Sequence, residues 1–197
     1  MSKSLAMLPV LWWLVLLTSP AGGLEERWGV EIVSSARSLP LVVDVDGDGR
    51  SETLVTTRFD GSLWNLASDG AVLGRARRDH WLEGSVAAAF HAGSTTPLLA
   101  FQESTGLVNL VDYGRGLDVR QDVPGQPCIG SAPCIADLDA DGVPEVVCAR
   151  MNGVVTVLDA TAAPRWQFDC GSSFHASPAC APVFGNSAAL YLSLIHI

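Results

Sequence analysis

The chain has 197 residues, of which 48% are hydrophobic and 17% charged, so it is too apolar to remain unfolded and long enough for one or two domains. Its 21 Asp and Glu outweigh 12 Lys and Arg, for a net charge of −9, which argues against the basic face of a nucleic-acid binder. Nineteen Gly and eleven Pro favour many turns over long helices.

Residues 1–23 read as a secretory signal peptide. Lys3 supplies a positive start, and Leu5–Leu17 is an uncharged apolar run of thirteen residues. That run is short of the roughly 20 residues a membrane span needs. The small residues Thr18 to Gly23 follow and suit cleavage after Ala21 or Gly23. The competing reading is an uncleaved signal anchor. Export places the mature chain outside the cell or on the outer face of the membrane, where disulfides persist. The five cysteines are Cys128, Cys134, Cys148, Cys170 and Cys180. An odd number leaves at least one free or paired elsewhere, and no C-x-x-C spacing marks a zinc site. Buried thiols and disulfides are both open. One candidate bridge is Cys134–Cys148, because a hairpin folded about residues 137–145 brings the two roughly opposite.

From residue 24 onward the chain repeats. Pro40-Leu-Val-Val-Asp44-Val-Asp46-Gly-Asp48-Gly49-Arg50-Ser-Glu52 returns 93 residues later as Pro133-Cys-Ile-Ala-Asp137-Leu-Asp139-Ala-Asp141-Gly142-Val143-Pro-Glu145. Each copy runs through an apolar stretch to a hairpin signal, Asp60-Gly61 or Asn152-Gly153. A weaker copy lies between them, with Ala89, His91 and Gly93 at the acidic positions, and a fourth begins at Pro178 with Pro182, Phe184 and Asn186 there. Trp28 and Trp166 each precede a repeat start by twelve residues. Within the third period, Pro133–Ala136, Val146–Arg150, Val154–Leu158 and Arg165–Phe168 read as four short strands. No window has sustained helical periodicity. Four antiparallel strands in roughly 45 residues form the blade of a β-propeller, so the chain is expected to be all-β, with about four blades over residues 24–192. A β-sandwich with a coincidental repeat is the alternative. Propellers close with roughly 4–8 blades, so the chain reads as the N-terminal part of a longer protein. Residues 193–197 depart from the repeat and read as a non-native tail.

The loops follow D-x-D-x-D-G-x-x-E. Alternate carboxylates on a tight loop converge on one centre. Ca²⁺ takes 6–8 oxygens in irregular geometry. Asp44, Asp46, Asp48 and Glu52, with the Arg50 carbonyl, are expected to hold one Ca²⁺. Asp137, Asp139, Asp141 and Glu145, with the Val143 carbonyl, are expected to hold a second. The nine-position loop lies between strands, so it is not an EF-hand. Two like charges about 4 Å apart repel by roughly 4 kcal/mol at an effective dielectric near 20, so several pairs rival a domain's stability of roughly 5–15 kcal/mol unless a cation neutralises them. The acidic positions of the middle and fourth repeats lack carboxylates and are expected to bind no metal.

These loops and the Asp60-Gly61 and Asn152-Gly153 turns behind them resemble FG-GAP/VCBS repeats, found in integrin-α-like propellers and in secreted repeat proteins. The resemblance spans roughly residues 26–190. It implies a seven-bladed propeller with Ca²⁺ in loops between the first two strands of a blade. Glu52 and Glu145 stand where integrin loops usually have Asp and are closer to the wider VCBS group. The spacing of Trp166, Ser177 and Pro178 also resembles quinoprotein-like propellers.

The function expected on this reading is a calcium-binding, non-catalytic interaction or adhesion module, secreted or on the cell surface, with an extracellular protein or glycan partner. The alternative is a quinoprotein-like or polysaccharide-acting propeller enzyme with its catalytic residues outside this segment. A membrane receptor would need a span C-terminal to it. No nucleophile elbow, phosphate loop or acid/base pair stands out, and His80 beside Arg77, Arg78 and Asp79 reads as a solvated charged turn.

Overall fold

A computed structural model describes residues 27–32, 34–123, 131–174, 176–183 and 187–191. The signal segment, Cys128, His175, the loop at Phe184 and Asn186, and the C-terminal tail lie outside them. The described residues form fourteen strands and no helix.

The short apolar runs between Gly-containing turns become four-stranded antiparallel meanders. The first blade comprises β1 (Leu41–Val43), β2 (Glu52–Thr57), β3 (Ser62–Leu66) and β4 (Val72–Arg77). The second comprises β5 (Leu82–Phe90), β6 (Pro97–Glu103), β7 (Leu107–Asp112) and β8 (Leu117–Asp122). The third comprises β9 (Cys134–Ala136), β10 (Glu145–Ala149), β11 (Val154–Leu158) and β12 (Pro164–Asp169). A further pair, β13 (Ala179–Val183) and β14 (Ser187–Tyr191), follows. In all three blades, spatial order is sequence order. The first strands pack in succession, β5 against β1, β9 against β5 and β13 against β9. The fourth strands are solvent-facing, and β12 is exposed along its whole length.

The blades stack face to face, so a central strand must be apolar on both sides. Leu98 and Ala100 of β6 point toward the third blade and pack with Val146, Cys148 and Leu158. Their neighbours Leu99 and Phe101 point the other way, onto Leu54, Leu63 and Val45 of the first blade. Strand β10 repeats the pattern: Val146 and Cys148 face the second blade, while Val147 and Ala149 join Val155, Val157 and Phe174 on the far side. Each large aliphatic side chain removed from water contributes about 1.5–3 kcal/mol.

This alternation rules out the Cys134–Cys148 bridge. Cys134 is opposite Val147, not Cys148. Cys134 packs on the far cluster with Val147, and Cys148 is buried in the other one. A one-residue offset puts the two thiols on opposite faces of the same sheet. The tryptophan marker also divides. Trp166 lies in β12, whereas Trp28 lies outside any strand and donates its indole N–H to the Ser68 carbonyl at 2.9 Å.

Candidate metal centre

Both acidic loops join the first two strands of a blade, residues 44–51 between β1 and β2 and residues 137–144 between β9 and β10. Their local geometry follows from Asp side chains bonding to nearby backbone N–H groups. Asp44 accepts from the N–H of Gly47 at 2.7 Å and of Gly49 at 2.8 Å. Asp48 accepts from the Arg50 N–H at 2.8 Å. In the third blade Asp137 accepts from Asp141 and Gly142, at 3.1 and 2.8 Å, and Asp141 accepts from the Val143 N–H at 2.8 Å. Each closing glutamate is buried and pins the loop from below: Glu52 accepts from the Val45 N–H at 2.9 Å and Glu145 from the Leu138 N–H at 2.8 Å.

In the first loop, Asp44, Asp46 and Asp48 each present a carboxylate oxygen within 4.8 Å of the other two. Oxygens bound to one Ca²⁺ at about 2.3–2.6 Å can stand no more than about 5 Å apart, so this trio has the spacing of a shared cation. Glu52 is outside the trio and braces the loop from inside. In the third blade the converging trio is Asp137, Asp139 and Glu145, and Asp141 is not part of it. The side chains of Arg50 and Val143 are exposed at the matching position of each loop, with their N–H groups on Asp48 and Asp141.

The two loops differ in a way that their matching acids do not reveal. Arg165 of β12 places Nη2 2.9 Å from Asp139 Oδ2 and Nη1 against Glu145 Oε1. The hydrogen bond to Asp139 leads in raising the Arg165 pKa. In the first blade the residue at the same place, skipped at the matching bulge between β3 and β4, is Leu73. Among the described residues, no Lys, Arg or His pairs with Asp44, Asp46, Asp48 or Glu52. The first loop thus gathers four acids with no basic partner, while the third blade supplies a guanidinium to its own.

The corresponding place in the second blade is occupied differently. His91 is buried, with an Arg115 guanidinium nitrogen 3.1 Å from its ring nitrogens and Asp112 Oδ2 3.6 Å away. Burial first, then Arg115, lowers the His91 pKa, with Asp112 opposing, which favours the neutral imidazole. This middle loop touches the third-blade acidic loop through Ala92 N–H donating to the Gly142 carbonyl at 2.8 Å.

His80 is exposed, as a solvated turn requires, but it also has a buried partner. Its Nδ1 is 2.9 Å from Oε2 of the fully buried Glu103, which also accepts from Arg120 and from Asn109. The sequence hinted at this only through Glu103 ending an apolar run, where a lone acid must find partners. With three partners, Glu103 reads as a structural ion-pair hub.

No family model matches the chain, and no curated protein matches it in sequence. Solved structures do match in fold. BBS1N in complex with ARL6DN, in a lead-soaked crystal, aligns with a TM-score of 0.58 and 17% identity over 84% of this chain and 52% of that one. The mercury-soaked crystal of the same complex gives 0.62 and 14% over 84% and 50%. BamB from Moraxella catarrhalis gives 0.51 and 18% over 74% and 41%. The chain therefore spans about half the length of these structures. Three sequential four-stranded blades, stacked face to face and matched by known propellers, make this chain a β-propeller by fold.

Proposed function

We propose that the chain is the calcium-stiffened part of a non-catalytic protein-interaction propeller of the FG-GAP/VCBS type, exported through residues 1–23. The carrying observation is the convergence of Asp44, Asp46 and Asp48 without a basic partner. One neighbour, BBS1N, is a propeller crystallised in a complex with another protein, which supports the interaction reading. On this reading the first loop binds Ca²⁺ through Asp44, Asp46 and Asp48, with Glu52 and the Arg50 carbonyl completing or bracing the set. The third-blade loop binds through Asp137, Asp139 and Glu145, with Asp141 and the Val143 carbonyl contributing. Its affinity is lower, because Arg165 must leave the carboxylates first.

Isothermal titration of the chain with CaCl₂ tests this. Two sites of unequal affinity are expected, with Asp46→Ala removing the tighter and Arg165→Gln tightening the weaker. Absence of binding heat, together with an unchanged melting temperature in excess chelator, would leave both loops as ordinary acidic turns.

A further inference from the structure

The metal loops do not account for the cysteines. Strands β9 and β13, the first strands of the third blade and of the pair after it, pack side by side. Cys134 of β9 and Cys180 of β13 lean on one cluster, formed by Val147, Ala149, Val155, Val157 and Phe174. Both are free thiols, and each dominates the shift of the other's pKa, Cys134 downward and Cys180 upward, as two neighbouring side chains do. The junction is registered just upstream, where Ala132 N–H donates to Ser177 Oγ at 2.9 Å and Ser131 Oγ to the Ala176 carbonyl at 3.4 Å. Ser131 and Phe174 are completely buried beside this junction, while Cys134 and Cys180 are themselves half-buried and so within reach of a small oxidant.

We propose that Cys134 and Cys180 form a disulfide that staples the third blade to the strand pair following it. The bond forms by exchange with a disulfide oxidant such as glutathione disulfide. The Cys134 thiolate attacks one oxidant sulfur, making a mixed disulfide and releasing one thiolate. The Cys180 thiolate then attacks the Cys134 sulfur and expels the second. Two protons and two electrons leave the protein, and the oxidant becomes two thiols. Cys134 suits the attacking role: the Cys180 hydrogen bond, opposed by burial, brings its pKa to about 7, near the optimum for exchange at neutral pH. Cys148 is the contrasting case. Burial first, opposed by Arg150, pushes its thiol up to about 12 and leaves it inert. Cys170 leans on the same cluster as Cys134 and is the rival partner that a test must separate.

The test is differential alkylation of the whole chain, folded in a glutathione redox buffer. Thiols are blocked with iodoacetamide in denaturant, and those exposed by later reduction are labelled with N-ethylmaleimide and located by tandem mass spectrometry. Cys134 and Cys180 are expected to carry only the second label, and Cys148 the first. Cys170→Ser should leave this unchanged, and Cys180→Ser should move Cys134 to the first label. Iodoacetamide on Cys134 in the wild-type chain overturns the proposal. So does a Cys134 bridge that is lost with Cys170→Ser and survives Cys180→Ser. Reduction should also lower the unfolding midpoint of the wild-type chain but not of the Cys134→Ser/Cys180→Ser double variant.

Discussion

Ala140 is one of two non-glycine residues with positive φ among the described residues, at +63°. Its counterpart 93 residues earlier is Gly47, at +80°. The loop demands a left-handed backbone there, which costs an alanine about 1–2 kcal/mol, partly offset by the glycine's greater freedom in the unfolded chain of about 0.5–1 kcal/mol. Ala140→Gly is therefore expected to stabilise the chain by roughly 1 kcal/mol in urea denaturation. Asp60 sets a pH limit at the same scale. Burial raises its pKa, but hydrogen bonds from Thr57, Ser62 and Arg75, at 2.6, 2.8 and 2.5 Å, outweigh burial and hold it below the ordinary Asp value. A carboxyl depressed in the folded state stabilises above its unfolded pKa and loses that contribution as pH falls through the folded one. The urea midpoint should fall as pH drops below the ordinary Asp range, and Asp60→Asn should flatten that acid limb.

At the scale of elements, each central strand is a two-sided wall. Leu99 of β6 is wholly buried toward the first blade, so Leu99→Ala should cost about 2–5 kcal/mol through lost burial and an unfilled cavity. Gly84 of β5 shows how closely the blades approach. It has φ +76°, and a Cβ placed there would lie 2.4 Å from the Ser131 carbonyl oxygen in the segment leading to the third blade. Gly84→Ala combines a left-handed penalty with a backbone clash and should cost roughly 2–5 kcal/mol. Chemical denaturation of both variants, with unchanged slope, checks these values. A bridge between β9 and β13 acts on the unfolded chain. Closing a loop of roughly 47 residues is worth about 4 kcal/mol in the chain-entropy model.

At the scale of the whole molecule, the proposed calcium sites make stability depend on the metal. Metal bound at a hundredfold excess over its dissociation constant adds about 2.7 kcal/mol per site, so excess chelator should lower the melting temperature by several degrees. The effect should shrink in acid, where carboxylates protonate, and Mg²⁺ should replace Ca²⁺ poorly because it prefers a smaller octahedral shell and keeps its water. All three loops of the first three blades occupy the same strand connection, and two are joined by the Ala92–Gly142 hydrogen bond. Stiffening one loop therefore braces its neighbour.

The repeat of about 46 residues, the D-x-D-x-D-G loops and the Asp-Gly and Asn-Gly turns were legible because they are local. A turn needs particular residues at particular positions, and a strand needs only a short apolar run between turns. That was enough to place all four strands of the third blade within one residue of their ends. Tertiary structure alone decided which side of the sheet each residue faced. In β10 the run Glu145-Val-Val-Cys-Ala149 is apolar after its first residue, because both faces are buried, so no polar alternation marks the register and Cys148 could not be told from Val147. The same non-local packing set Arg165 over one loop and not the other, and brought Cys134 to Cys180. Those contacts join residues 20 to 46 positions apart across strand and blade interfaces, whose register is set by side-chain packing.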